Sequence, residues 1–143
     1  MLAARLLAYI AAHERCYADD DWTRLEPFFT EDAVREVSGG PPLGGSWQGR
    51  AAVIRSLRER TEALDRRFDQ RTFWPRGVPA EMGDSVALPW RGIYRLDRAL
   101  AHPLTIEGTL VASFANDRIA LLRDRLRPGT DRLIAAYLKR HPF

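Results

Sequence analysis

The chain has 143 residues, a length typical of one domain with a substantial core. Apolar residues make up 45% and charged residues 29%, as in a soluble globular protein, and no apolar stretch approaches the roughly 18 residues of a membrane span. The net charge of +3 is dispersed as arginine among 19 acidic residues without a basic run, so we expect neither nucleic acid nor a membrane as a partner.

The first half of the chain predicts mostly helices. The segment MLAARLLAYIAAHERC has apolar residues at three- and four-residue spacing, and Arg5 interrupts it, so we interpret it as a helix of the mature protein that runs to about Ala18. The acidic residues Asp19 to Asp21 end this helix and cap a short second one, WTRLEPFF. A strand, EDAVREVSG, a GGPPLGG loop and a third helix, WQGRAAVIRSLRERTEALDRR, follow.

From about Phe68 the apolar pattern changes to a period of two. It predicts four long antiparallel strands, RFDQRTFW, SVALPWRGIYRLD, PLTIEGTLVASFA and RIALLRDRLRP, with a tight hairpin turn at AND between the last two. A final helix, DRLIAAYLKR, ends the chain. This order predicts one α+β domain over residues 1–143, in which helices cover a cone-shaped, curved antiparallel sheet and enclose a cavity.

Cysteine and histidine residues are few in this sequence. A single cysteine, Cys16, excludes an internal disulfide, fits a reducing cytoplasm and is expected to be buried as a small apolar residue. His102 and His141 are expected at the surface. The histidines lie too far apart, without carboxylates at ligand spacing, to predict a metal site, and we expect no cofactor.

One acidic residue breaks the alternation of the last predicted strand. In RIALLRDRLRP, Asp124 shares a face with Leu122 and Leu126, and three arginines occupy the other face. A slip of one residue would bury those arginines, so Asp124 is expected to face the cavity. Burial would raise its pKa and suit it to acid or base chemistry. The alternative is a structural carboxylate paired with an arginine such as Arg91 or with a backbone amide.

His13 lies on the apolar face of the first helix, where it could exchange a proton with Asp124 across the cavity. The alternative is a histidine of the core or the cavity edge whose hydrogen bonds are made within the protein and which has no catalytic role. Tyr9 and Tyr17, on the same helix, could donate a hydrogen bond to a ligand carbonyl.

Three aromatic residues of the predicted strands, Trp74, Trp90 and Tyr94, are expected to share the inner face of the sheet. They would form an apolar wall for a flat or cyclic ligand, or simply pack the core. The outer face is more apolar than a solvated sheet requires, which predicts a homodimer through that face. Its members are Glu107, Val111, Ile93, Ile119 and Leu121.

Three segments resemble the nuclear transport factor 2-like superfamily. YADDDWTRLEPFFTEDAV (17–34) is similar to its helix-turn-helix before the first strand, GSWQGRAAVIRSL (45–57) to the start of its next helix, and NDRIALLRDRLRP (116–128) to its last strand. The superfamily includes ketosteroid isomerases, limonene-type epoxide hydrolases, scytalone dehydratases and SnoaL-like polyketide cyclases. The resemblance implies their cone-shaped (cystatin-like) α+β fold with an internal pocket, and leaves the reaction open.

Carried over to this chain, the resemblance places Asp124 where cyclases and epoxide hydrolases of this type have a strand carboxylate that acts as acid or base. His13 falls where ketosteroid isomerases have an oxyanion-binding tyrosine. The isomerase base would fall on Val37, and the Arg-x-Asp pair of the hydrolases on Trp90 and Gly92, so neither of those mechanisms is expected.

Two functions follow from these residues and the resemblance. The first is a cofactor-independent enzyme that uses Asp124 for the cyclisation, isomerisation, dehydration or ring opening of a small hydrophobic cyclic or polyketide-like molecule. The second is a non-catalytic protein of the same fold that binds a hydrophobic ligand or serves as an accessory subunit.

Overall fold

The computed structural model describes residues 1–98 and 101–142, and in this part of the chain seven strands form one curved, unclosed sheet. The helices are α1 (Leu2–Asp19), α2 (Arg50–Ala63) and α3 (Thr130–Arg140), with 3-10 segments at Trp22–Phe28 and Asp65–Arg67. The strands are β1 (Phe29–Val37), β2 (Gly45–Gln48), β3 (Gln70–Pro75), β4 (Ala80–Met82), β5 (Ser85–Arg95), β6 (Leu104–Ala115) and β7 (Arg118–Leu126). None of the helices in the described residues is long and apolar enough to cross a membrane.

The strand order is β2-β1-β7-β6-β5-β3, with β4 paired to β5. The four predicted antiparallel strands correspond to β3, β5, β6 and β7, and the α+β prediction is confirmed. β1 lies parallel to β7, which sets Val37 opposite Asp124. This long-range pairing brings the first half of the chain against the last strand.

Alternation along β5 shows why the sheet has a buried face. Every second residue of β5 is buried, namely Val86, Leu88, Trp90, Gly92 and Tyr94, and the residues between them are more exposed. Gly92 follows the same alternation, so position along the strand, and not side-chain size, decides which residues lie on the buried face. Each large apolar side chain that is fully buried contributes about 1.5–3 kcal/mol. β6 and β7 meet at Asn116 and Asp117, which both have positive φ angles, as a tight two-residue hairpin turn requires.

Two groups of buried side chains make up the core. The first joins α1, β1 and α2 through residues such as Leu6, Phe29 and Val53, and the second joins α3 to the far end of the sheet through Leu104 and Ile134. A candidate cavity lies where these two groups meet, since its walls take side chains from both.

Two details differ from the sequence prediction. Ile119, expected on the outer face, is fully buried, because the register between β6 and β7 shifts between Ser113 and Phe114 and sets Ile119 opposite Phe114. The third helix begins at Arg50, since β2 extends to Gln48 and Gly49, with a φ of 92°, lies between that strand and the helix.

Candidate active site

An internal cavity of about 70 Å³ lies between α1, α2 and the inner face of the sheet. A cavity needs roughly 10–15 Å³ of such space to hold a single water, so this one has room for more than one water. Its walls combine apolar and ionisable side chains. The ionisable carboxyl and guanidinium groups are those of Glu14, Arg35, Arg60, Asp65, Arg71 and Asp124.

Asp124 faces this cavity from β7, as the alternation predicted, and is 5% exposed. The indole Nε1 of Trp90 donates a hydrogen bond to its Oδ1 at 3.0 Å, and Nη1 of Arg60 lies 3.5 Å from its Oδ2. Burial raises the pKa of Asp124, while Arg60, the Trp90 hydrogen bond and Arg35 act to lower it. The carboxyl group is therefore held in place at the cavity wall with its neutral form favoured by burial.

The arginine beside Asp124 is Arg60, in the last turn of α2, and not Arg91. Arg91 alternates to the outer face of β5, where its guanidinium lies 2.8 Å from Glu107. Burial acts to lower the pKa of Arg60, but Tyr94, Asp65 and Asp124 outweigh it and raise that pKa, so Arg60 stays charged. Arg60 therefore supplies a fixed positive charge next to the Asp124 carboxyl.

Gly108 of β6 leaves the space that the Asp124 carboxyl occupies. A Cβ atom at this position would lie 3.2 Å from Oδ1 of Asp124 and 2.9 Å from the carbonyl oxygen of Arg125. The second contact is with backbone, which cannot rotate away. The glycine is thus required by the close approach of β6 and β7 at the site.

Arg71 of β3 links the cavity wall to α1. Its guanidinium donates two hydrogen bonds to Glu14, at 2.7 and 3.0 Å, and its Nε lies 2.9 Å from Asp65. The ring of Tyr17 packs against its other side, with the Arg71 Cζ atom 4.7 Å from the ring centroid. Tyr17 is therefore behind Arg71 and outside the cavity wall, contrary to its predicted place in the ligand site.

Arg35 projects from β1 into the cavity and is 2% exposed. Its Nη1 donates a hydrogen bond to the Ser56 hydroxyl at 3.1 Å, and its Cζ atom lies 4.9 Å from the centroid of the Trp47 ring. Burial, followed by the charge of Arg60, lowers the pKa of Arg35 to about 10. It remains charged at neutral pH.

His13 and Tyr9 of α1 both line the cavity. Burial, followed by the charges of Arg71, Arg60 and Arg35, lowers the pKa of His13 to about 3, so its imidazole is neutral near pH 7. Within residues 1–98 and 101–142 no hydrogen bond joins His13 to Asp124, whose partners are Trp90 and Arg60. In this described part of the chain, the two residues of the predicted proton-sharing pair therefore line one cavity without a direct hydrogen bond between them.

Two of the three predicted aromatic residues, Trp90 and Tyr94, line the cavity. Trp74 does not, since it is 56% exposed and pairs with Arg91 on the outer face of the sheet. Its neighbour Phe73 takes the inner position and stacks on Trp90 with ring centroids 5.8 Å apart. The aromatic wall is thus Phe73, Trp90 and Tyr94.

The remaining candidates lie away from the cavity. Cys16 is buried, and burial raises the pKa of its thiol, as a structural cysteine requires. His102 is exposed, and the ring of His141 packs against Tyr137. In the described part of the chain, no three histidine, cysteine or carboxylate side chains come together as a metal-binding group.

Sequence reasoning missed the three arginines of the cavity wall. Arg35 shares the inner face of β1 with Ala33 and Val37, so the alternation that identified Asp124 would also have identified it. Arg60 follows Leu57 by three residues on the buried stripe of α2. Both arginines interrupt a buried apolar pattern, and this interruption is the sequence feature that could have predicted their place in the cavity wall.

The model of the SnoaL-like domain family matches residues 9–122, which is most of the chain. The chain belongs to the SnoaL-like domain family. None of the curated proteins matches this SnoaL-like chain in sequence. The match and the solved structures below confirm the resemblance to the nuclear transport factor 2-like superfamily.

Solved structures share the fold of this SnoaL-like chain at low sequence identity. A provisionally assigned isomerase from Rhodopseudomonas palustris is 20% identical, with a TM-score of 0.72 over 92% of this chain and 96% of its own. A nuclear transport factor 2-like protein from Burkholderia xenovorans is 14% identical, with a TM-score of 0.63 over 94% and 95%. TerC, co-crystallised with polyporic acid, is 15% identical, with a TM-score of 0.63 over 94% and 96%. At these identities the likeness establishes the fold.

Proposed function

We propose that this SnoaL-like protein is a cofactor-independent enzyme that acts on a small hydrophobic cyclic or polyketide-like molecule, with Asp124 as its acid or base. The observation that carries the proposal is the Asp124 carboxyl group on the wall of an internal cavity, with a pKa raised by burial. Groups of this kind, in a pocket with an apolar wall, are typical of catalytic sites. The reaction would be a cyclisation, isomerisation, dehydration or ring opening.

Two opposing effects on Asp124 suit it to proton transfer. Burial favours the protonated acid, which can give a proton to a carbonyl or leaving oxygen of the substrate. Once the proton has left, the Arg60 guanidinium, 3.5 Å away, and the Trp90 N–H stabilise the carboxylate. The same groups therefore keep Asp124 in position in both protonation states.

The other cavity residues would bind and orient the substrate. Phe73 and Trp90 offer a flat apolar surface for a ring. Tyr9 keeps its proton at neutral pH, since burial raises its pKa, so its hydroxyl can donate to a substrate oxygen. His13 would act as a neutral hydrogen-bonding group, since a pKa of about 3 leaves almost no imidazolium to serve as an acid near pH 7.

A non-catalytic ligand-binding protein is the second candidate. It is favoured by the fact that both Asp124 oxygens already have partners within the protein, Trp90 and Arg60. A carboxylate satisfied in this way could be retained for structure alone.

The variant Asp124→Asn distinguishes the two functions. We expect thermal-shift screening of small cyclic molecules to yield ligands, some of which the wild-type protein converts to product, as followed by mass spectrometry. Because Asn cannot transfer the proton, turnover should fall by about 10² or more in the variant, with affinity nearly unchanged. Asp117→Asn, in the exposed hairpin turn, is the matched control. Wild-type protein that binds these ligands and turns over none of them would favour the binding protein.

We further propose a homodimer through the outer face of the sheet, located in the cytoplasm. The outer-face residues Ile93, Val111 and Leu121 are only partly covered within one chain, which supports the dimer, and the single unpaired cysteine fits a reducing compartment. Sedimentation velocity at micromolar concentration tests the first proposal, and cell fractionation tests the second. A monomer in the first experiment, or a secreted protein in the second, would contradict them.

A further inference from the structure

Among the described residues, Arg35 is a buried cation that forms no contact ion pair, and Asp124 acts on it only at longer range. In residues 1–98 and 101–142 no carboxylate oxygen lies within 4.0 Å of its guanidinium, and its hydrogen-bond acceptor is the neutral Ser56 hydroxyl. The other two arginines of the cavity wall differ. Arg60 lies 3.5 Å from Asp124, and Arg71 lies within 3 Å of both Glu14 and Asp65.

The environment of Arg35 fixes its guanidinium at the cavity wall. The Ser56 hydroxyl donates to the Val53 carbonyl at 2.6 Å, which turns its lone pairs toward Arg35. The Trp47 ring covers one face of the guanidinium. An arginine held by a neutral acceptor and an aromatic face keeps N–H groups available for a planar anionic partner.

Such an arrangement does not serve stability. The neighbouring inward positions of β1 are Ala33 and Val37, so an apolar residue at position 35 would pack in the same way as these two. A buried charge without a partner is unfavourable, and replacing it by an apolar residue of similar volume is often neutral or stabilising. A ligand with a negative charge would pair with Arg35 and offset the cost of burying its guanidinium.

The overall charge of the cavity wall is consistent with an anionic ligand. Three arginines face three carboxyl groups, of which Glu14 and Asp65 both pair with Arg71. When Asp124 is protonated, the wall carries an excess positive charge. Burial is the main cause of the lowered pKa of His13, and the charges of Arg71, Arg60 and Arg35 lower it further.

We infer that Arg35 binds an anionic oxygen of the ligand, and that the substrate is a small cyclic carboxylic acid whose ring lies against the aromatic wall. This inference rests on the proposed small-molecule site. The cavity has room for more than one water and has an aromatic wall, which suits a ligand with a single ring. The carboxylate would bind at Arg35 while the ring contacts Phe73 and Trp90.

Two pairs of probes test this assignment: benzoate against benzamide, and phenylacetate against phenylacetamide. Each pair has the same ring and nearly the same shape but differs in charge. We expect the wild-type protein to bind the acids at least tenfold more tightly than the amides in calorimetry at neutral pH, since a charged hydrogen bond to Arg35 is lost with the amide.

The variants assign that preference to Arg35. In Arg35→Met the affinity for the acids should fall about tenfold or more, while the affinity for the amides stays the same. Arg55→Met, on the exposed face of the same helix as Ser56, removes an equal charge outside the cavity and should change neither. If Arg35→Met does not fold, Arg35→Gln, which is neutral and polar, gives the same comparison.

Each other outcome has a definite meaning. Amides that bind the wild type as tightly as the acids, or an acid preference that survives in Arg35→Met, would overturn the inference and leave the proposed site intact. If none of the four probes binds the wild type, while other neutral cyclic molecules do and are converted to product, only the carboxylate assignment fails. If no cyclic molecule of either kind binds, the proposed function fails with it.

Discussion

Asp124 and His13 line the same cavity, and burial favours the neutral form of each. It therefore raises the pKa of the acid and lowers that of the imidazole. The arginines oppose the shift at Asp124 and reinforce it at His13, because a positive field stabilises a carboxylate and destabilises an imidazolium. One environment thus explains why Asp124 is suited to proton transfer and His13 is not.

The lowered pKa of His13 predicts a loss of stability in acid. Between pH 6.5 and about 3 the unfolded chain binds a proton at this residue that the folded chain does not, so the free energy of unfolding decreases as the pH falls through this range. The contribution is at most about 5 kcal/mol at 1.36 kcal/mol for each pKa unit. Urea unfolding from pH 7 to pH 4 should show a weaker pH dependence in His13→Gln than in the wild type.

His102→Gln, in an exposed segment, is the control for that experiment. It should retain the wild-type pH dependence. An unchanged pH dependence in His13→Gln would show that His13 does not titrate with a lowered pKa.

Sequence and structure agree on Asp124 because an acidic residue among buried leucines is conspicuous. Arg35 and Arg60 also interrupt a buried apolar pattern. A long arginine side chain can extend to solvent from a partly buried position, so its place in such a pattern is weaker evidence that its charge is buried. The structure was needed to show that Arg35 stays inside, at 2% exposure.

At the scale of elements, β3 shows how pairing with a neighbouring strand decides which residues are buried. Phe68 and Trp74 are six residues apart, so a strand that began at Phe68 would place both on one face. The strand begins at Gln70, after the 3-10 segment Asp65–Arg67, and Phe68 packs beside Tyr94 and Tyr137 from outside it. Phe73 faces inward because it pairs with Gly92 on the buried face of β5, whereas Trp74 pairs with Arg91, and alternation alone could not decide between Phe73 and Trp74.

The close approach of β6 and β7 at Gly108 gives a prediction at the same scale. Gly108→Ala should destabilise the protein by about 1–3 kcal/mol, because the new methyl group would lie 2.9 Å from the Arg125 carbonyl oxygen and 3.2 Å from the Asp124 carboxyl. Thermal and urea unfolding measure the change. Gly40→Ala is the control, since its methyl group meets only the mobile end of the Asp131 side chain. Equal stabilities of the two variants would contradict the contact.

At the scale of the whole molecule, the family motifs and the change of period from helix to strand were sufficient to predict the fold. The assembly of the site was not predictable in the same way, because it depends on pairings that are distant in sequence. The parallel pairing of β1 with β7 brings the Arg35 strand beside the Asp124 strand, and α2 carries Arg60 to the same carboxyl group. Local patterns indicate which residues turn inward but not which of them meet.

The central claim is that Asp124 is a buried acid at the cavity wall with a raised pKa. Carbon-13 NMR titration of protein labelled at the aspartate carboxyl carbons, with Asp124→Asn to assign the resonance, tests it most directly. We expect the Asp124 signal to titrate above the usual pKa of about 3.9 for aspartate and to shift when a cavity ligand is added. A pKa at or below that value, with no response to any ligand that binds, would contradict the claim.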